Sequence, residues 1–281
     1  NRFGAAQVSR RRILQSARFE KVRGLDLGKN SLHVGILCNI YDAESSEEGA
    51  VQSDLTSVGL NIQKAVESKG HRVTFFDMNE TPLPFEKIAN ANVDLIFNVF
   101  ERINNSSLLE PHAAAILDCL GIPYTGSNPL TLALCIDKIK VKKILEQHGL
   151  PTPNFDYVFQ KDEPIREDLR YPLMVKLANT DNSIGISNAS VVSSLKALKE
   201  QVNHLLEKYN RPVLIEEFIE GDEVDVTIVG NESRVKVLPL SRSIFDDLPK
   251  GVWGIYPFQA KWSDNSVYEK IRVERPAKYS Q

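Results

Sequence analysis

Residues 212–230 (PVLIEEFIEGDEVDVTIVG) constrain the fold most, because an apolar run is followed there by acidic residues and then by strict alternation. Residues 213–215 predict a buried strand, and residues 223–228 alternate with the period of two of a strand whose faces differ. Glu220 and Gly221 can form the turn between them. The alternation puts the acidic side chains on one face of the second strand and the apolar ones on the other.

A second apolar strand, residues 171–176, ends at Lys176 and is followed by a polar loop. A lysine at a strand end offers a point charge to a polyphosphate, and a loop containing Asn182, Ser183 and Gly185 can offer backbone N–H groups to it. A strand edge followed by a carboxylate suits adenine and ribose, whose amine and hydroxyl groups donate hydrogen bonds. The alternatives are a solvated acidic hairpin and a lysine that merely ends a strand, since short motifs often match by chance.

Length and composition set wide limits. The 281 residues allow one to three domains, and the 42% hydrophobic content, 25% charged content and net charge of -3 are ordinary for a soluble globular chain. Nothing indicates nucleic-acid binding, and no apolar run is long enough for a membrane-spanning helix. Cys38, Cys119 and Cys135 lie in apolar runs, which predicts reduced core residues and a cytoplasmic protein.

Residues 1–30 form a basic extension, with eight Lys or Arg residues against two acidic ones, a net charge of +6. Such a start is typical of a transit peptide or of a patch that binds an acidic partner. A helix packed on the body and an expression remnant are the alternatives.

From Ser31 the chain alternates between predicted strands and helices. Residues 32–38, 71–78 and 93–100 predict buried strands, with a helix near residues 51–69. Strands separated by helices indicate parallel pairing and an α/β layer structure. Ligands of such sheets collect beyond the carboxyl ends of the strands, which here are residues 39–48 and 101–110.

A more specific pattern follows, with LGIPYTGS at residues 120–127, Asp137 and Lys138 between helical stretches, and GLPTP at residues 149–153. Together with the two strands described above, this pattern resembles the D-alanine–D-alanine ligases of the ATP-grasp superfamily. The segments FQAKW at 258–262 and RPA at 275–277 resemble the family's Glu-Ala-Lys-Tyr and Cys-Pro-Ala. From the residues alone, one alternative stays open: Lys138, Lys140, Lys142 and Lys143 could be the solvated face of one helix.

The resemblance implies an α/β fold in which a Rossmann-like (pre-ATP-grasp) N-terminal domain precedes an ATP-grasp body that is truncated at its C-terminus. The expected organisation is a basic extension at 1–30, the Rossmann-like domain at 31–127, the small lobe of the ATP-grasp body at 128–210 and the first part of its large lobe at 211–281.

The resemblance also implies an ATP-dependent ligase that joins a carboxylate to an amine through an acyl phosphate. Ser183 and Lys261 are the residues expected to act in catalysis. The ATP contacts implied by position are Lys138 and Lys176 for the phosphates, Lys261 for the γ-phosphate, Asn182, Ser183 and Gly185 in the loop over the phosphates, Glu216 with the backbone of Glu217, Phe218 and Ile219 for adenine, and Glu223 for the ribose.

Some family motifs are absent. Asp181 replaces a loop glycine, and CNIYDAESSEE (38–48) and NVFERINNSSLLE (98–110) replace two early motifs that help to choose the amino acid. Which acid and amine are joined therefore stays open, although amino acids are expected.

The cofactors implied are ATP and Mg²⁺. The family's magnesium ligands are expected beyond Gln281, so this chain alone is expected not to turn over. The expected partners are small molecules, without nucleic acid or membrane, and a homodimer is left open. The alternative function is a catalytically inactive nucleotide-binding or interaction module, or half of a split ligase.

Overall fold

A computed structural model describes residues 31–40, 47–104, 106–231, 234–262 and 267–279. The predicted basic extension at 1–30 lies outside the described residues. The chain divides into two compact units, Asn1–Ala133 and Leu134–Gln281. Helices and both parallel and antiparallel sheets are present, so the predicted α/β class is confirmed.

The first unit is built on a three-stranded parallel sheet in the order β2-β1-β3. The parallel pairing predicted for these strands is confirmed. The elements in chain order are β1 (His33–Cys38), α1 (Glu47–Glu67), β2 (Arg72–Asp77), α2 (Phe85–Asn90), β3 (Leu95–Asn98), a 3₁₀ turn (Ser107–Leu109) and α3 (Glu110–Leu120).

Close contact between strands defines the core of this unit. Leu37, Phe76 and Ile96 lie in one buried cluster with side chains from α2 and α3. A Cβ atom on Gly35 would lie 2.5 Å from Cδ1 of Ile96 and 2.7 Å from Cε2 of Phe76. Glycine is therefore required in β1 for these two side chains to meet over it.

The remaining elements include a four-stranded antiparallel sheet in the order β4-β7-β5-β6. Two small sheets follow, in the orders β12-β11-β8 and β10-β9. The elements are α4 (Pro129–Cys135), α5 (Lys138–Gln147), β4 (Phe155–Val158), β5 (Leu173–Leu177), a 3₁₀ turn (Asn188–Ser190), β6 (Val191–Val192), α6 (Leu195–Tyr209), β7 (Val213–Glu217), β8 (Glu223–Asp225), β9 (Ile228–Val229), β10 (Lys236–Val237), β11 (Ser241–Ile244), α7 (Phe258–Trp262), a 3₁₀ turn (Tyr268–Lys270) and β12 (Arg272–Glu274).

The two faces of the four-stranded sheet pack against different helices. Val213 and Ile215 of β7 belong to the cluster that includes the buried stripe of α6, whereas Leu214 packs with Ile139 of α5. Because successive side chains of a strand point to opposite faces, Glu216 lies on the α5 side of β7. The same alternation in β5 puts Val175 in the α6 cluster and its neighbour Lys176 on the α5 side.

The buried side of α6 consists of Leu198, Val202, Leu205 and Leu206. Ser194 caps the helix by accepting a hydrogen bond from the Ala197 N–H at 3.3 Å, as expected for a serine at this position. Leu195, in the first turn of α6, is 57% exposed, because the packed face begins one turn later.

The predicted strand at 223–228 is wrong in its extent and its burial. It is divided between β8, which pairs with β11, and β9, which pairs with β10. Val224, Val226 and Ile228 are exposed rather than buried on one face, because the two halves join different small sheets. The partner strands β10 and β11 are also short, with two and four residues.

The three cysteines are all free, as predicted. Cys38 is buried in β1, but Cys119 and Cys135 are exposed, so the prediction of core positions is wrong for those two. Both lie in helices, where an apolar run does not fix the buried face. Within the described ranges, no helix combines the length and the apolar character needed to cross a membrane.

Candidate functional site

The start of α5 is fixed to the end of β5. Asp137 caps the helix, and its side chain accepts a hydrogen bond from the Lys140 N–H at 3.1 Å. The Lys138 N–H donates to the Ala178 carbonyl, just after β5, at 2.9 Å. Lys138 and Lys142 lie four residues apart and therefore on one face of α5.

This geometry brings Lys142 and Lys176 to one buried carboxylate. The Nζ atom of Lys142 lies 2.8 Å from Oε2 of Glu216, and Lys176 forms an ion pair with Oε1 of the same residue. Lys142 also donates to Oγ1 of Thr152 at 2.8 Å and lies 4.9 Å from the centroid of the Phe155 ring. Glu216 is thus held from both sides, and it stays ionised. Burial alone would raise its pKa, but Lys176 and Lys142 outweigh burial and lower it.

Lys138 is the third lysine of this cluster, and its ammonium donates to the Thr180 carbonyl. Burial and, to a lesser extent, repulsion by Lys176 lower the pKa of Lys138 to about 8, against the opposing attraction of Asp181 and Glu216. Among the described residues, no carboxylate forms an ion pair with Lys138. Its charge is therefore available to an incoming anion.

We expect nucleotide affinity to fall as the pH rises through about 8, the pKa of Lys138. A lysine attracts phosphate only when it is protonated. Because the bound anion raises the lysine pKa, binding above this pH is accompanied by uptake of a proton. Calorimetry of a non-hydrolysable ATP analogue in buffers of different ionisation enthalpy measures this uptake. Lys138→Met should abolish it, and Lys140→Met, on the same helix, should retain it. Equal proton uptake by the wild type and Lys138→Met would contradict the assignment of Lys138 to the phosphates.

The loop after β5 has the left-handed backbone that an anion cradle uses. Asn182, Ser183 and Gly185 have φ values of 53°, 58° and 75°. Turn hydrogen bonds shape the loop, and the hydroxyl of Ser183 donates to the Tyr256 carbonyl at 3.1 Å. Gly185 is required because its φ is positive and an added Cβ would lie 3.3 Å from Cδ2 of Leu205. Successive N–H groups in such a conformation form a nest for anions.

The backbone predicted to contact adenine belongs to Glu217, Phe218 and Ile219, which directly follow Glu216 in the chain. The carboxylate of Glu217 accepts two side-chain hydrogen bonds from Arg170, which hold the pKa of Glu217 at about 2. The N–H of Glu217 donates to the Asn154 carbonyl and that of Phe218 donates to the Pro172 carbonyl, each at 2.9 Å. These two N–H groups are therefore used within the protein.

The other predicted site residues lie outside the lysine cluster or outside the described side chains. Ile219 is 68% exposed, and Glu223 lies on β8, in a different sheet from Glu216. The side chain of Lys261, in α7, lies outside the described part of the chain.

A cavity of about 530 Å³ lies next to the predicted adenine contacts. It is lined by Phe218, by residues 220–222 and by residues of the 245–254 segment, and the Phe218 ring packs edge-on against Trp253 with 5.4 Å between ring centroids. Of the predicted site residues, only Phe218 lines it.

Lys142 is the member of the lysine cluster that sequence reasoning missed. One interpretation placed it on a solvated helix face with Lys140 and Lys143, but it is buried against Glu216. The available signal was its spacing of four residues from Lys138, because side chains four residues apart lie on the same face of a helix.

Comparisons with known proteins show which family the chain is similar to. The family described as "D-ala D-ala ligase C-terminus" matches residues 144–281. The D-alanine–D-alanine ligase of Bordetella pertussis is 31% identical over 239 residues, which cover 84% of this chain and 68% of that protein. That of Natranaerobius thermophilus is 37% identical over 166 residues, covering 56% of this chain and 43% of that protein.

A solved structure supports the fold. The D-alanine–D-alanine ligase of Bacillus anthracis, complexed with ATP, superposes with a TM-score of 0.58 at 24% identity, covering 75% of this chain and 66% of that one. The chain spans from under half to about two thirds of the length of the curated relatives it matches. With the matches extending over most of its residues, the chain belongs to the D-alanine–D-alanine ligase family.

Proposed function

We propose that the protein is an ATP-dependent ligase that joins a carboxylate to an amine through an acyl phosphate. The observation that carries this proposal is the convergence of Lys138 and Lys176 beside a loop with consecutive left-handed residues. Fixed cations and backbone N–H groups at one place suit a polyphosphate. Family membership gives the reaction class, and the lysine cluster gives the residues.

In the proposed reaction, a carboxylate oxygen attacks the γ-phosphorus of ATP and the bond to the β-phosphate oxygen breaks, releasing ADP. The amine nitrogen then attacks the acyl carbon, phosphate leaves, and the amine loses a proton. Both steps move negative charge, which positioned cations stabilise. Lys138 and Lys176 hold the phosphates and Lys261 the γ-phosphate, while the loop of Asn182, Ser183 and Gly185 closes over them.

Lys176 has a partner in Glu216 before nucleotide binds, so it must exchange that contact for phosphate. Glu216 keeps its second cation, Lys142, at 2.8 Å. A buried carboxylate without a partner is destabilising. Because Lys142 stays paired with Glu216, the exchange does not leave this carboxylate without a cation. Glu216, Ile219 and the carbonyls near Glu217 then form the adenine contacts, and Glu223 binds the ribose.

The finer domain assignment is part of the proposal. The parallel sheet of the first unit corresponds to a Rossmann-like domain, and the second unit to the ATP-grasp body. Since β7 pairs with both β4 and β5, we place the end of the small lobe after Glu217 rather than at residue 210.

Magnesium is the remaining cofactor that the family implies. Among the side chains that the structure describes, no group of three or more His, Cys, Asp or Glu residues is arranged to hold a metal ion. The roles given above are those of the protein's own side chains.

Release of ADP tests the proposed function. The full-length protein with ATP, magnesium and pooled amino acids should release ADP only when both a carboxylate and an amine are present. Nucleotide binding without amino-acid-dependent release would favour a binding module over a ligase.

Glu223→Ala should weaken binding of an ATP analogue by about 1 to 3 kcal/mol, the range for hydrogen bonds to a charged group. The reason is the loss of an acceptor for the ribose hydroxyls. Glu220→Ala, in the turn three residues earlier, is the matched control and should change the affinity little. Calorimetric titration measures both, and equal losses would show that Glu223 has no specific contact with the ribose.

A further inference from the structure

The loop of residues 181–187, called the phosphate loop from here on, needs contacts from elsewhere in the chain to hold its shape. Asn182 and Ser183 are consecutive residues with φ values of 53° and 58°. A left-handed backbone costs free energy in residues other than glycine, and it persists where the surrounding structure fixes it. The contacts that fix this loop therefore also determine where its N–H groups point.

These contacts come from one stretch of the chain, residues 251–258, called the adjoining segment. The hydroxyl of Ser183 donates a hydrogen bond to the Tyr256 carbonyl at 3.1 Å. The N–H of Phe258 donates to the Ile186 carbonyl, also at 3.1 Å. Because Phe258 is the first residue of α7, these hydrogen bonds connect the phosphate loop to the start of that helix.

Asn188 holds the adjoining segment with both groups of its side-chain amide. It directly follows the phosphate loop and is the first residue of the 3₁₀ turn at 188–190. Its Nδ2 atom donates to the Gly251 carbonyl at 3.0 Å, and its Oδ1 atom accepts from the Trp253 N–H at 2.8 Å. An amide offers a donor and an acceptor side by side, so one side chain fixes two backbone groups of the segment.

We propose that Asn188 is a positioning residue of the phosphate site. By holding the adjoining segment, it keeps the phosphate loop and α7, the helix that contains Lys261, in one arrangement that binds a triphosphate. If that arrangement is populated only part of the time, the apparent affinity for the ligand falls by the same fraction. The inference rests on the proposed function, because it concerns the phosphates of ATP.

Calorimetric titration with a non-hydrolysable ATP analogue and with adenosine tests the proposal. Asn188→Ala should weaken binding of the ATP analogue roughly fivefold to thirtyfold, the factor expected for the loss of one or two net hydrogen bonds. Adenosine has no phosphates, so its affinity should be the same in Asn188→Ala and the wild type. Asn203→Ala, on α6 of the same unit, is the matched control and should bind both ligands as the wild type does.

Hydrogen–deuterium exchange without nucleotide tests the contact itself. Amide exchange in Asn188→Ala should be faster in both the phosphate loop and the adjoining segment, and unchanged in the central strand β5. A variant that only destabilised the whole fold would exchange faster in β5 as well.

Three results would overturn the proposal. They are an ATP analogue that binds Asn188→Ala as tightly as the wild type, an adenosine affinity that falls by the same factor, and unchanged exchange in the phosphate loop of the variant. Failure of the wild type to bind the ATP analogue would instead overturn the proposed function, and the exchange measurement would still decide whether Asn188 holds the loop.

Discussion

Replacing Lys142 by Met should lower the free energy of unfolding by about 3 kcal/mol, the cost of removing one partner from a buried ion pair. Both side chains of the pair are shielded from solvent, with 7% of the Lys142 side chain and 11% of the Glu216 side chain exposed. Methionine keeps the apolar stem and removes the charge together with the hydrogen bond to Oγ1 of Thr152. Lys176 remains as a partner of Glu216, which limits the loss. Urea denaturation followed by circular dichroism measures it.

Lys140→Met is the matched control, because Lys140 lies on the same helix and 70% of its side chain is exposed. An exposed ion pair contributes between 0 and about 1 kcal/mol, so this variant should be close to the wild type. Adding Glu216→Gln to Lys142→Met should recover most of the lost stability, since the neutral amide of glutamine needs no cation. A Lys142→Met protein as stable as the wild type would show that Lys176 alone is sufficient to balance the negative charge of Glu216.

The predictability of the fold differed between its parts for physical reasons. Strands β1 and β7 could be predicted, because their apolar runs are buried on both faces. Strands β2, β3 and β5 are only partly buried, and their apolar runs were still sufficient to predict them. The segment 223–237 could not, because its strands are short and its valines are exposed. Its sequence alternates as a half-buried strand would, but alternation cannot show whether another element covers the apolar face.

Three members of the lysine cluster around Glu216 could be predicted from the sequence, but their contacts could not. Lys138, Lys176 and Glu216 were identified from motif order, and the structure brings them together around α5 and β5. That Glu216 is already paired with two lysines depends on how a helix packs on a sheet face. Here α5 packs on the face of β7 where Leu214 contacts Ile139. No single stretch of sequence contains both the helix and the strand.

Lys176→Met should weaken binding of an ATP analogue by about 2 to 3 kcal/mol, or roughly 30- to 150-fold, because a charged hydrogen bond to phosphate is lost. The fold should persist, since Glu216 retains Lys142 at 2.8 Å. The two lysines that hold one carboxylate are thus expected to differ in kind, with Lys142 mainly affecting stability and Lys176 mainly affecting affinity. Calorimetric titration and urea denaturation of both variants, with Lys140→Met beside them, measure the two quantities. Unchanged nucleotide affinity in a folded Lys176→Met protein would remove Lys176 from the phosphate site and leave its ion pair with Glu216 as a purely structural contact.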